Sequence, residues 1–181
     1  MKVNQPSDSG QIMPRLLLIR HAKAAAFGSA PGDHGRPLSP KGKAHAAILG
    51  EALRAAGWAP DLALVSTAQR TRDTIAAMAL PDCAVRYEDA LYLASPKALA
   101  EAISTCDTRA KTIALIAHNP GIAMLAHQFL EEGFDHNAKA AHALMDNFRT
   151  GWAAAFELRE DGPRLVDLFD PRACGTGSAN Y

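Results

Sequence analysis

Arg15-Leu-Leu-Leu-Ile19 is a short, unbroken apolar run, and Arg20-His21 follows it at once. A run this short, without polar alternation, reads as a strand covered on both faces of a sheet, which sets the Arg-His pair just past a strand's carboxyl end. Working outward, the Gly- and Pro-containing stretch beyond reads as loop, and Ser39-Pro40 then offers an N-cap with Pro at the first helical position. The spacing predicts a helix over about 40–56, closed by Gly57, with Ala44, Ala47, Ile48, Ala52 and Ala55 as its apolar stripe.

The same alternation recurs along the chain. Asp61-Leu-Ala-Leu-Val65 reads as a strand; Ser66 and Thr67 are placed to cap a helix to about Leu80, which Pro81 stops. Ala84 to Tyr87 is a weaker strand, and Ser95-Pro96 opens a helix to about Thr105. Lys111 to Ala117 is a buried strand, after which Asn119-Pro120 starts a helix to Glu132, before Gly133. Ala153–Arg159 and Leu165–Phe169 flank the turn residues Asp161-Gly162 and read as an antiparallel pair. Strands alternating with helices predict an α/β domain, a three-layer α/β/α sandwich with a mostly parallel sheet and its ligand site at the strands' carboxyl ends.

The chain's 181 residues suit one domain, which buries roughly 70 % of the surface its unfolded form exposes. The expected organisation is a single domain over 13–171 between flexible tails, 1–12 and 172–181. Lys plus Arg and Asp plus Glu both number 19, so no excess positive charge draws the chain to nucleic acid or to an anionic membrane. No apolar run reaches the roughly 18 to 20 residues of a membrane helix, and MKVNQPSDSGQ lacks the apolar core of a secretory signal, so the expected location is the cytoplasm. Cys83, Cys106 and Cys174 are scattered and read as inert thiols. The histidines lack zinc-ligand spacing, and Gly175-Thr-Gly177 does not complete a dinucleotide-binding glycine pattern.

Just past the strands stand Arg20-His21, Ser66 with Arg70, Glu88-Asp89 and His118-Asn119. Singly, each has an ordinary explanation: surface decoration for the Arg-His pair, a solvated helix residue for Arg70, a satisfied strand-end histidine for His118, a polar turn for Glu88 and Asp89. Together at one sheet edge they outline a phosphate site, two guanidiniums supplying bidentate donors and helix N-termini adding backbone donors.

Here the residues carry a resemblance. Leu18-Ile-Arg-His-Ala-Lys23 resembles the Arg-His-Gly motif that opens the histidine phosphatase superfamily, the phosphoglycerate mutase-like enzymes, with Ala22 where the family usually has Gly. Arg36-Pro-Leu-Ser-Pro-Lys-Gly42, Ser66 through Thr74 as S-x-x-x-R-x-x-x-T, and Ala117-His-Asn-Pro-Gly121 match further motifs in order, over about 14–159. The arrangement is most similar to the short SixA branch, whose members dephosphorylate phosphohistidine. The resemblance implies a phosphoglycerate mutase-like fold and a phosphatase with His21 as nucleophile, Arg20, Arg70 and His118 holding the phosphoryl group, and no metal or other cofactor. It makes Glu88, with Asp89 beside it, the candidate proton donor; Ser66 and Asn119 are either phosphate ligands or helix caps. The implied substrate is phosphohistidine on a protein partner. The alternatives are a sugar phosphate or nucleotide, or a non-catalytic module that only binds phosphate.

Overall fold

The structure is a computed structural model that describes residues 14–28, 30–106 and 109–174; the expected tails at 1–12 and 175–181, with the Gly-Thr-Gly stretch, lie outside them. In chain order the elements are β1 (Arg15–Arg20), α1 (Pro40–Ala55), β2 (Leu62–Ser66), α2 (Gln69–Met78), β3 (Ala84–Glu88), α3 (Pro96–Ser104), β4 (Thr112–Ala117), α4 (Gly121–Glu132), α5 (Ala138–Asp146), β5 (Ala153–Arg159), β6 (Gly162–Phe169) and α6 (Pro171–Cys174). The strands form one sheet in the order β3-β2-β4-β1-β5-β6. β3, β2, β4 and β1 run parallel, while β5 and β6 add an antiparallel hairpin beside β1, so the sheet is mixed.

Successive β1 side chains serve opposite layers, because the side-chain period of a strand is two. Leu16 and Leu18 join Leu64, Leu115, Leu125 and Leu144 on the α3–α5 face; Leu17 and Ile19 join Leu49, Leu53, Val65 and Met78 on the α1–α2 face. Burial on both faces explains why β1 and β4 read as continuous apolar runs. α1 and α2 pack closely enough that a Cβ on Gly50 would strike the Met78 carbonyl, which fixes glycine at that point in α1.

Two helix caps match the sequence reading. The Ser39 hydroxyl accepts from the Gly42 amide and that of Ser95 from Ala98, each ahead of a Pro at N1, and Gly57 takes φ +68° beyond α1. Two do not. α2 starts at Gln69 and is not capped by the Ser66 or Thr67 side chain, and α4 starts at Gly121 without a cap from Asn119. All three side chains are used elsewhere: Ser66 binds His118, Thr67 donates to Asp89, and Asn119 donates to Phe148. α2 ends at Met78, two residues short of expectation, where Ala79 adopts left-handed geometry at φ +48°. α5 falls in a stretch to which the sequence reading assigns no element; the Asn137 side chain caps it by accepting from the Ala140 amide. Residues 172–174, expected as tail, belong to α6.

Candidate active site

The parallel register decides which side chains meet. Arg20 of β1 lies opposite Ala117 of β4, so the next residues along, His21 and His118, stand side by side past the sheet's carboxyl edge. Their rings are 5.2 Å apart and tilted by 55°. β2 lies on the other side of β4 with Val65 opposite Ile116, which sets Ser66 beside the start of the His118 turn. The first turn of α2 then delivers Arg70, whose Nε donates to His21 Nε2 at 3.3 Å.

The hydrogen bonds fix both imidazoles. His21 Nδ1 lies 2.7 Å from the Ala22 carbonyl, which can only accept, so Nδ1 carries the hydrogen and Nε2 the lone pair. The Ser66 hydroxyl accepts from the Ala68 amide and lies 2.8 Å from His118 Nε2. This fully buried hydroxyl has no other acceptor for its own hydrogen, so the arrangement that satisfies it donates to that nitrogen and assigns the hydrogen of His118 to Nδ1. Burial drives His21 down to about 4 against the bond to Ala22, with Arg70, Arg20 and Arg36 pushing the same way. Burial, then His21 and Arg70, bring His118 down to about 3. Both rings are therefore neutral near neutral pH, though only 8 % and 2 % exposed.

Thr74 ties these pieces together, accepting from the Ala22 amide at 3.1 Å and donating to the Arg70 carbonyl at 2.6 Å. The Ala22 methyl lies in the buried core packed against α1 and α2, so a side chain is accommodated where the family motif has glycine.

A cleft of about 340 Å³ opens beside the two rings, lined by Arg20, His21, Arg70, His118 and Asn119 together with Lys23, Asp33 and Arg36. Four buried polar atoms of the lining residues have no protein partner: Arg20 Nε, Arg36 Nε, His118 Nδ1 and Asn119 Oδ1. Leaving such atoms unpaired costs about 1 to 3 kcal/mol each, so their gathering at one cleft marks a ligand site. Three are N–H donors. With the positive charge of Arg20, Arg36, Arg70 and Lys23 they suit an oxyanion. Asn119 Oδ1 is an acceptor, its amide held by Nδ2 donating to Phe148 at 3.3 Å, and suits a water or an N–H rather than a phosphoryl oxygen.

The remaining sequence candidates lie apart from this group. Glu88 is not among the lining residues; its carboxylate pairs with Arg86 at 2.7 Å on the edge strand β3. Asp89 accepts from Thr67 at 2.6 Å. Ser66 is fully buried and reaches the cleft only through His118. Three charged lining residues are not among the sequence candidates: Lys23, Asp33 and Arg36. Arg36 opens the second motif, which is the available signal for it, whereas Asp33 precedes that motif in a loop without periodicity.

Residues 16–92 match the model of the histidine phosphatase superfamily (branch 1). An uncharacterized protein of Mycobacterium tuberculosis is 38 % identical over 141 residues, covering 77 % of this chain and 87 % of that protein. A solved structure from Nakamurella multipartitia, assigned as the phosphohistidine phosphatase SixA, is 30 % identical, with a TM-score of 0.74 over 87 % of this chain and 96 % of that one. Its counterpart from Agrobacterium tumefaciens, assigned likewise, is 29 % identical, with a TM-score of 0.76 over 88 % and 99 %. The chain belongs to the histidine phosphatase superfamily, in its SixA-like branch. Like other histidine phosphatases it is a hydrolase with a phosphoglycerate mutase-like α/β fold. Among the described residues no helix is long and apolar enough to cross a membrane, and no group of three or more metal-ligating side chains comes together.

Proposed function

We propose that this histidine phosphatase hydrolyses phosphohistidine on a protein partner through a phosphohistidine intermediate at His21. The observation that carries the reading is the set of orphaned donors on residues of one cleft, Arg20 Nε, Arg36 Nε and His118 Nδ1, beside a neutral His21 whose Nε2 bears the lone pair. The phosphoryl group sits among Arg20, Arg70 and His118, and takes over the Arg70 N–H that otherwise rests on His21 Nε2. The Nε2 lone pair attacks phosphorus in line, the P–N bond to the substrate breaks, and its electron pair leaves on the departing nitrogen. Water then attacks phosphorus, the P–Nε2 bond breaks, and the water's proton leaves on the phosphate released. Asn119 Oδ1 offers that water an acceptor. Charge on the phosphoryl oxygens is balanced by the guanidiniums, so no step calls for a metal ion.

The leaving group favours phosphohistidine over an ester. An alkoxide leaves badly without an acid, and the acid expected at Glu88 is paired with Arg86 outside the cleft. An imidazolium carries its proton in, and departs as neutral imidazole once the P–N bond breaks. The test is turnover of a histidine-phosphorylated carrier protein beside a panel of sugar phosphates and nucleotides at equal concentration. A kcat/KM at least about a hundredfold higher for the phosphoprotein, a transition-state difference of about 2.7 kcal/mol, supports the reading; higher values on the small esters overturn it.

A further inference from the structure

Asp33 is the one acidic side chain lining the cleft among the described residues. It stands at the far end of the Arg70 guanidinium from the nucleophile. Arg70 donates through Nε to His21 Nε2 at 3.3 Å, and through Nη2 to Asp33 Oδ2 at 2.9 Å and Nη1 to the Asp33 carbonyl at 2.7 Å. The Tyr92 hydroxyl donates to the same Oδ2 at 3.0 Å. Oδ1 accepts from Arg36 alone, at 2.8 Å, and the side chain is 31 % exposed, so a lone pair on Oδ1 remains for a visitor.

A carboxylate set among phosphate-binding guanidiniums is out of place for catching a dianion, since it weakens the field that draws the phosphate in. It fits a substrate whose leaving group is a cation. In-line displacement puts the leaving nitrogen on the side of phosphorus away from His21, toward the end of Arg70 that Asp33 occupies. Partial burial opposes ionisation of Asp33, but Tyr92, Arg70 and Arg36 hold its carboxyl below the usual range, so it is an acceptor near neutral pH and not a proton donor.

We propose that the Asp33 carboxylate accepts the distal N–H of the phosphohistidine imidazolium and thereby selects phosphoramidates over phosphate esters. The inference rests on the function proposed above and adds the group that reads the leaving side. Asp33 keeps that proton on the ring while the P–N bond breaks, and the ring leaves neutral, the carboxylate unchanged. A phosphate ester that carries a carboxylate of its own meets repulsion at the same place.

The experiment compares wild type with Asp33→Asn, which keeps the shape and the Oδ1 acceptor but removes the charge. The probes are phosphoimidazole, an aryl phosphate, a phosphate ester bearing a carboxylate, and vanadate as a binding-only ligand. The account expects kcat/KM for phosphoimidazole to fall at least about tenfold further than for the aryl phosphate, roughly the worth of one charge-assisted hydrogen bond. It expects the carboxylate-bearing ester to gain relative to the aryl phosphate, and vanadate to bind no more weakly than before. Equal losses on every substrate together with weakened vanadate binding would make Asp33 only a support for Arg70 and overturn the proposal. Equal kcat/KM changes with vanadate binding intact overturn it as well. A wild-type enzyme that turns over aryl and sugar phosphates but not phosphoimidazole instead removes the substrate reading itself, and the selection by Asp33 with it.

Discussion

The Ser66 hydroxyl lies 2.8 Å from His118 Nε2, and this bond between β2 and the end of β4 sets which nitrogen of His118 faces the cleft with a hydrogen. A serine that reads from sequence as a helix cap or phosphate ligand thus acts through a neighbouring imidazole. Ser66→Ala leaves His118 Nε2 buried and unpaired and frees the ring to take the other tautomer. The expected result is a kcat lower by about tenfold to a hundredfold with KM changed far less, plus a stability loss of about 1 to 2 kcal/mol by urea unfolding. Ser66→Thr, which keeps the hydroxyl, restores kcat if the fold accepts the methyl. A raised KM alone, with kcat intact, would make Ser66 a ground-state binding residue.

The lowered imidazoles predict a pH dependence of stability with a definite sign. His21 titrates near 4 and His118 near 3 in the fold, against 6.5 for an unperturbed imidazole. Between those values the unfolded chain binds protons that the native chain refuses, so acid favours unfolding. Stability is full above about 6.5 and declines as pH falls through that value toward 4 and 3. The urea midpoint therefore drops between neutral pH and about pH 5, and replacing both histidines with Gln flattens the drop. Nitrogen NMR at neutral pH is expected to show both rings neutral with hydrogen on Nδ1; a protonated His21 at that pH would contradict the assignment.

Arg70 offers three bonded donors in a fixed fork, one to the nucleophile and two to Asp33. Lysine keeps the charge and loses the fork. Arg70→Lys is expected to lower kcat/KM by about a hundredfold, and a loss below about tenfold would place the guanidinium outside the phosphoryl site.

Glu88 gives the opposite expectation. Its carboxylate is bound to Arg86 and lies outside the cleft lining, so Glu88→Gln should change turnover of aryl phosphate and phosphohistidine alike by less than about threefold. A selective loss on the ester would return Glu88 to the role of proton donor.

Much of this fold is legible in the sequence where one local signal decides the outcome. Leu16 to Ile19 and Ile113 to Ala117 are apolar throughout because both sheet faces are covered, and Ser39-Pro40 and Ser95-Pro96 start helices because cap and φ restriction coincide. Local signals misled where tertiary partners claimed the side chain. The Ser66 hydroxyl goes to His118 across 52 residues, and Asn119 goes to Phe148 across 29. His21, Arg20, Arg70 and His118 converge as the strand reading implies, since β1, β2 and β4 are neighbours in the sheet. Asp33 lies in a loop of Gly and Pro that has no periodicity, and its bond to Arg70 spans 37 residues, so no sequence pattern announces it. α5 escaped because its Asn137 cap is followed by an alanine-rich stretch with a narrow apolar stripe.

The central claim is that a neutral His21 Nε2 takes the phosphoryl group. The direct measurement is rapid quenching of the enzyme with phosphorus-labelled substrate, followed by mapping of the bound label. The account predicts a label that is lost in acid and kept in base, located on His21, and absent from His21→Ala, which has no turnover. Label on another residue, or phosphate release by His21→Ala at the wild-type rate, would contradict it.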